Sequence, residues 1–498
     1  MGYPTFRYTR KKTRSQIPLK CPNDMTFEDC ELAILRQAVD YNEKHIKRDK
    51  ANMPEIKKMI TIVEQFLKDT KCICYGGTAI NNILPEEAQF YDHDIEIPDY
   101  DFYSSDPIKH TKELSDIFSK AGYVEVEAKS GMHYGTYKVF VNFIPMADIT
   151  EMNHELFSSL KKDAIIKNDV LYAPANFLRM SMYLELSRPQ GDISRWEKVL
   201  KRLTLLNKYY PLTAGKCHQI DFQRKMDKNV DLSEKLYYTI RDTFIEQEVV
   251  FFGGYASSLY SRYMPLNQQH LVKSIPDFDV LSEEPEKCAE EIHKCIVGLK
   301  IREKVSILKH PAVGEIIPEH IEIRLGKTDS LAFIYKPIAC HNYNKLELLN
   351  KTIRIATIDC MLSFYLAFLY SNKFIHNKER LLCMSQFLFE VEQKNRLAQK
   401  GLLKRFSIKC YGKQETLESI RAKKTEMYQK LKHDRNNPEY EKWFMKYNPS
   451  KTNTVSNKKS TKKHVSFQKL SETKVPHKQK TKKMIWNKKG FFQRFYTF

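Results

Sequence analysis

A diglycine and three aspartates are the residues of this chain whose types and spacing could do chemistry. Lys71 to Tyr103 reads KCICYGGTAINNILPEEAQFYDHDIEIPDYDFY, with Gly76-Gly77 after a short β-prone run and Asp99 and Asp101 one residue apart. Backbone N–H groups of such a turn point outward and can cradle phosphate oxygens, and the glycines let the backbone come close. Two carboxylates on alternate positions of a strand share one face and repel each other, which hard divalent ions with oxygen ligands relieve. A third carboxylate, Asp148 in the FIPMADI run, is what a two-metal site needs to activate an attacking hydroxyl. Phosphate cradle and metal carboxylates together are the equipment of nucleotidyl transfer. A lone GG or DxD is weak evidence, since a strand turn beside a solvated acidic edge reads the same way.

The elements that must position these groups follow from local composition. Lys71 to Tyr75 reads as a strand, Thr78 as a cap for a helix that stops near Pro85, and a second strand puts Ile97, Asp99, Asp101 and Tyr103 on one face. The pattern then recurs. EVVFFGGYASS spans Glu248 to Ser258 and PDFDVLS spans Pro276 to Ser282, against PDYDFYS at Pro98 to Ser104. Gly77 to Asp99 is 22 positions and Gly254 to Asp277 is 23, so the chain reads as an internal duplication. Aligning FIPMADI with YKPIACH sets Cys340 opposite Asp148, and Tyr255 replaces Thr78 beside the glycines. A thiol is a poor ligand for Mg²⁺. The first copy therefore reads as active and the second as a retained scaffold, unless Glu322 or Asp329 supplies its missing carboxylate.

In combination, the GG, DxD and third Asp resemble the DNA polymerase beta-like nucleotidyltransferase superfamily. The long GG-to-DxD gap, the degenerate second copy and SRPQGDISRWEKVLKR at Ser187 to Arg202 resemble more closely the poly(A) polymerase catalytic subunits of large cytoplasmic DNA viruses, giant-virus type first and poxvirus more distantly. The resemblance covers roughly residues 25 to 440. It implies an adenylyltransferase acting on the 3′ end of single-stranded RNA with ATP and two Mg²⁺ or Mn²⁺ ions. Asp99, Asp101 and Asp148 would be the catalytic metal ligands, with Gly76, Gly77, Thr78, Arg195 and Lys198 on the nucleotide. It further implies a homodimer working in a host cytoplasmic viral factory or carried in the virion. Other terminal transferases of the superfamily, CCA-adding, uridylyl or oligoadenylate-making, and a non-catalytic RNA-binding scaffold are the alternatives.

The fold class expected is α/β (α+β), two tandem nucleotidyltransferase-like domains with mixed sheets flanked by helices. The expected division is 1–45 basic segment and helix, 46–215 active domain, 216–400 degenerate domain, 401–450 helical region and 451–498 basic disordered tail. Pro54 should divide two helices, Val170 to Leu186 should be largely helical, and Tyr137 to Ile144 a strand. Gln190 to Leu206 should be a basic helix on which Arg195, Lys198 and Arg202 face phosphates, or else a solvated face with Trp196 in the core. Of the net charge of +21, residues 1–20 hold +6 and residues 451–498 hold +13, so the body is nearly neutral and any basic groove in it is local. The end, MIWNKKGFFQRFYTF, interleaves aromatics with Lys and Arg, suited either to bases and phosphates or to docking on a protein. Eleven cysteines without CxxC or Cys/His zinc spacing suggest reduced thiols. Ile355 to Tyr370 is apolar but short for a span and contains Asp359, so no membrane insertion is expected.

Overall fold

The computed structural model describes residues 21–449 apart from 23, 93, 216, 218–219, 221, 223–229, 270–276, 349, 372–376 and 396–397. The expectations for segment 1–20 and tail 451–498 lie outside the described residues. Within the rest, strands form two eight-stranded mixed sheets. The first half contributes β1 (Ile73–Tyr75), β2 (Tyr100–Ser104), β3 (Val126–Ser130), β4 (Thr136–Val141), β5 (Ile144–Glu151), β6 (Ile165–Lys167) and β7 (Val170–Tyr172). The second half contributes β8 (Val250–Phe251), β9 (Phe278–Leu281), β10 (Val305–His310), β11 (His320–Leu325), β12 (Asp329–Tyr335), β13 (His341–Leu348) and β14 (Lys351–Ala356). Two short late strands, β15 (Cys410–Tyr411) and β16 (Lys446–Tyr447), close one edge of each sheet.

The sheet orders are β16-β3-β4-β5-β2-β1-β7-β6 and β10-β11-β12-β9-β8-β14-β13-β15. Without the two late strands they are the same order, and corresponding pairs run in the same sense. Thus β2 lies parallel to β5 as β9 does to β12, and β1 lies antiparallel to β2 as β8 does to β9. The duplication read from the glycine and aspartate motifs is a duplication of topology.

Helices flank the sheets because their apolar residues recur on one face. In Pro54–Thr70 the buried set is Ile56, Met59, Val63, Phe66 and Leu67, spaced three and four apart, each stabilising by roughly 1.5–3 kcal/mol. Pro54 begins that helix and Lys71, in the left-handed conformation at φ 54°, ends it and turns the chain into β1. The helix Ile358–Phe368 is buried along its whole length, Asp359 included, and packs on Ala175–Leu186, its counterpart in the first half. Ile358–Phe368 is a core helix, and among the described residues no helix is long and apolar enough to cross a membrane.

Several expectations need correction. Val170 to Leu186 is largely helical as expected, but the helix starts only at Ala175, after Pro174, and Val170–Tyr172 is a strand paired with β1 and β6. Tyr137 to Ile144 is not one strand but the hairpin of β4 and β5, turned at Asn142 and Phe143. The expected reduced thiols are also partly wrong. Cys21 bonds Cys30, Cys217 bonds Cys383 and Cys340 bonds Cys410, leaving Cys72, Cys74, Cys288, Cys295 and Cys360 as thiols. Short-range spacing could not show the latter two bonds, because their partners are 166 and 70 residues apart and the fold brings them together.

Candidate active site

β1 delivers the chain to Gly76 at φ +72°, where the helix Gly76–Ile83 begins. A Cβ there would lie 2.6 Å from Asp101 Oδ2, so glycine is what allows the turn to press on that carboxylate. A Cβ at Gly77 would collide with the Tyr91 hydroxyl and come within 2.9 Å of Arg202 Nη1. Thr78 is not the helix cap; Tyr75 occupies that position. The Thr78 hydroxyl is buried and donates to the Asp99 carbonyl at 2.6 Å, so it pins the segment entering β2 instead of presenting itself. Asp99 itself precedes the strand, which starts at Tyr100.

Asp101 sits opposite Tyr75 on β1 and opposite Asp148 on β5. On the next strand Lys138 is opposite Asp148, and its ammonium pairs with the Asp148 carboxylate. Burial, with Asp99 and Asp148 adding to it and Lys138 and Arg195 opposing, pushes the Asp101 carboxyl up to about 7. Asp99 is raised by burial and by Asp148, against Lys138 and Lys198. The three carboxylates thus feel one another's charge. Among the described residues no three His, Cys, Asp or Glu side chains are drawn together tightly enough to hold an ion unaided. The donor chemistry nevertheless fits a hard divalent cation, because the ligands are all oxygen and a cation would offset the burial, and the repulsion added to it, that lift Asp101.

The predicted basic helix is Trp196–Tyr209. Arg202, not Arg195, reaches the glycine turn: Nη2 donates to the Tyr91 hydroxyl at 2.8 Å and the guanidinium lies 4.9 Å from the Phe90 ring centre. Lys198 is lowered by burial and by Arg202 and Arg195, with Glu96 and Asp99 opposing, so it shares their electrostatic neighbourhood. Arg195 turns to Glu185 at 3.2 Å and is largely exposed, while Trp196 donates to the Glu185 carbonyl and packs against the core. A cavity of about 690 Å³ opens on the flank of Gly76–Ile83, with Thr78, Tyr91 and Pro98 in its wall and none of the three aspartates.

The second half shows the same scaffold without the same chemistry. Asp277 and Asp279 are buried, and their carboxylates fill the space where a Cβ of Gly254 or Gly253 would stand. On β12 the residue opposite Asp279 is Phe333, so Phe333, not Cys340, occupies the position of Asp148. Glu322 pairs with Phe333 as Lys138 pairs with Asp148, one strand further out. Its oxygens are taken by Arg324 at 2.8 Å, Ser330 at 2.5 Å and His310 at 2.8 Å. Asp329 pairs with Leu325 and lies at the far end of β12. Neither carboxylate stands beside Asp279 on β12.

The first half of a duplicated mixed sheet thus sets a glycine turn against aspartates held in register on neighbouring strands. Residues 61–192 match the family described as Poly(A) polymerase catalytic subunit. A protein of Acanthamoeba polyphaga mimivirus assigned as such a subunit is 30% identical over 178 residues, which is 35% of this chain and 29% of that one. A counterpart from African swine fever virus (isolate Pig/Kenya/KEN-50/1950) is 27% identical over 210 residues, 39% of this chain and 44% of that one. The chain therefore spans less than half the length of either relative. The crystal structure of the Megavirus polyadenylate synthase shares the fold, with a TM-score of 0.72, 18% identity and 89% of each chain covered.

Proposed function

We propose that this protein is a template-independent polynucleotide adenylyltransferase, extending the 3′ end of single-stranded RNA with adenylates from ATP and releasing pyrophosphate. The observation that carries the reading is Asp101 beside Asp148 in register on parallel strands, against the Gly76 turn, while Phe333 takes the third position in the other half. On this reading 46–215 is the active unit and 216–400 the degenerate one. Asp99 and Asp101 would hold two Mg²⁺ or Mn²⁺ ions and Asp148 one of them, which when bound supply Lewis-acid activation of a hydroxyl and neutralise the leaving phosphates. The backbone N–H groups after Gly76 and Gly77 receive triphosphate oxygens, and Lys198 and Arg202 bring positive charge to the same side. Lys138, paired with Asp148, holds that carboxylate in place. A homodimer acting in a cytoplasmic viral factory, or carried in the virion, belongs to the same proposal.

The test is primer extension by the full chain on an end-labelled RNA with each nucleoside triphosphate in turn. Long tails with ATP alone are expected. Asp101→Ala should lower the rate by on the order of 10³-fold, and Asp279→Ala should leave most of it. Equal losses in two folded variants would overturn the single-site assignment, and incorporation of CTP or UTP would shift the reading to another terminal transferase.

A further inference from the structure

One rung of the first sheet runs unbroken across five strands from the carboxylates to the sheet edge. Asp101 pairs with Asp148, Asp148 with Lys138, Lys138 with Lys129, and Lys129 with Lys446 on β16. Residues paired across strands project to the same face, and here that face is open: the side chains of Lys138, Lys129 and Lys446 are 38%, 45% and 76% exposed. Like charges directly opposite each other are destabilising, yet the chain keeps two such lysine pairs in series. A single acid, Glu127, serves two of them, at 3.5 Å from Lys129 and 3.4 Å from Lys446. Half-buried Phe140 lies on the same face with the Lys129 ammonium 4.3 Å from its ring centre.

Lysines on an edge strand often serve to block sheet-to-sheet pairing. That explanation fits Lys446 alone, because β16 covers β3 and leaves Lys129 and Lys138 in the interior of the sheet. The duplicated half provides an internal control. Its corresponding rung reads Asp279, Phe333, Glu322 and Leu308, with no lysine in it. The row is present on the half that keeps its third carboxylate and missing from the other.

We infer that this lysine row is the track for the primer strand: the phosphates of a single-stranded RNA cross Lys446, Lys129 and Lys138 and bring the 3′ end to Asp148 and Asp101. The inference rests on the adenylyltransferase reading for the identity of the strand. With strands about 4.8 Å apart, Lys138 and Lys446 lie about 10 Å apart, a run of positive charge long enough for successive phosphates, with Phe140 available for a base.

Two measurements on the full-length protein test it: binding of a labelled single-stranded RNA as a function of salt, and steady-state kinetics in primer and in ATP. Lys129→Ala with Lys446→Ala should raise the primer KM five- to tenfold at unchanged kcat and ATP KM. The slope of log affinity against log salt should become shallower by about 1.4, two phosphate contacts of a single strand. Arginine at both positions should restore binding, and Glu127→Gln, which frees the lysines, should tighten it. An unchanged slope and primer KM, as a protein-docking face would give, overturns the inference. A change confined to the ATP KM, or weaker binding by Glu127→Gln, does the same. Should the wild type add no nucleotide at all while its RNA affinity still depends on the two lysines, the adenylyltransferase reading falls and the track remains.

Discussion

Arg405 is shared by two buried carboxylates, held by Asp359 at 2.8–3.0 Å and by Glu392 at 2.5 Å. Burial pushes Glu392 up to about 8, with Arg405 opposing and Asp359 adding to the rise. A carboxyl raised this far above its unfolded value near 4.3 stabilises the fold when protonated. That contribution is complete below about pH 4 and is lost as pH climbs through 8. The melting temperature should therefore fall between about pH 4 and pH 8, and Glu392→Gln, which cannot ionise, should flatten that fall; a parallel pH profile in the variant would refute the assignment. At the same scale, the convergence of Gly76, Asp101 and Asp148 is legible in the sequence, since glycine pairs and alternating aspartates survive a one-dimensional reading. Lys138 is not legible. The β4–β5 ladder shifts register between Val139 and Phe140, where Phe140 meets Pro145, and without that shift Lys138 would oppose Ala147. Thr78 is misread for another reason: its hydroxyl is consumed by a backbone carbonyl that only the fold supplies.

The β4–β5 hairpin turns on Asn142 at φ +50° and Phe143 at φ +64°, both left-handed, with the Phe143 side chain 82% exposed. Such two-residue turns match the twist of the flanking strands, and Asn-Gly is their preferred sequence. A phenylalanine there carries backbone strain without burial to offset it. Phe143→Gly should stabilise the protein by about 1 kcal/mol, read as a higher urea midpoint at unchanged slope. A loss of stability would mean that the exposed ring makes contacts this turn does not reveal. At the scale of elements, the helices bounded by Pro54 and the largely apolar helix that contains Asp359 are readable, because length and proline punctuation mark them. The three-residue β7 is hidden inside an apolar run that continues into a helix, and only pairing with β1 distinguishes it.

Across the whole molecule, Cys340–Cys410 and Cys217–Cys383 tie β15 and the segment before the second half back onto that half. Eleven cysteines should therefore yield five reactive thiols in denaturant without reductant and eleven after reduction. Reduction should cost about 2–5 kcal/mol of stability. Eleven thiols before reduction would return the chain to the fully reduced expectation. The duplication is the part of the architecture most legible beforehand, through the twin GG and DxD motifs, whereas the strand order and the late strands β15 and β16, which carry no periodic signal, are set by pairing alone.

Packing Ala175–Leu186 on Ile358–Phe368 joins equivalent helices of the two halves, with the Phe177 ring 5.4 Å from that of Tyr370. Each half consequently presents to the other the face that a lone unit would have to leave wet. A fragment ending near residue 215 would uncover Phe177 and the helix face around it, and aggregation is the ordinary fate of such a surface. The second half is constrained as a wall, whatever chemistry it keeps. A substitution along Ile358–Phe368 is therefore felt by both halves.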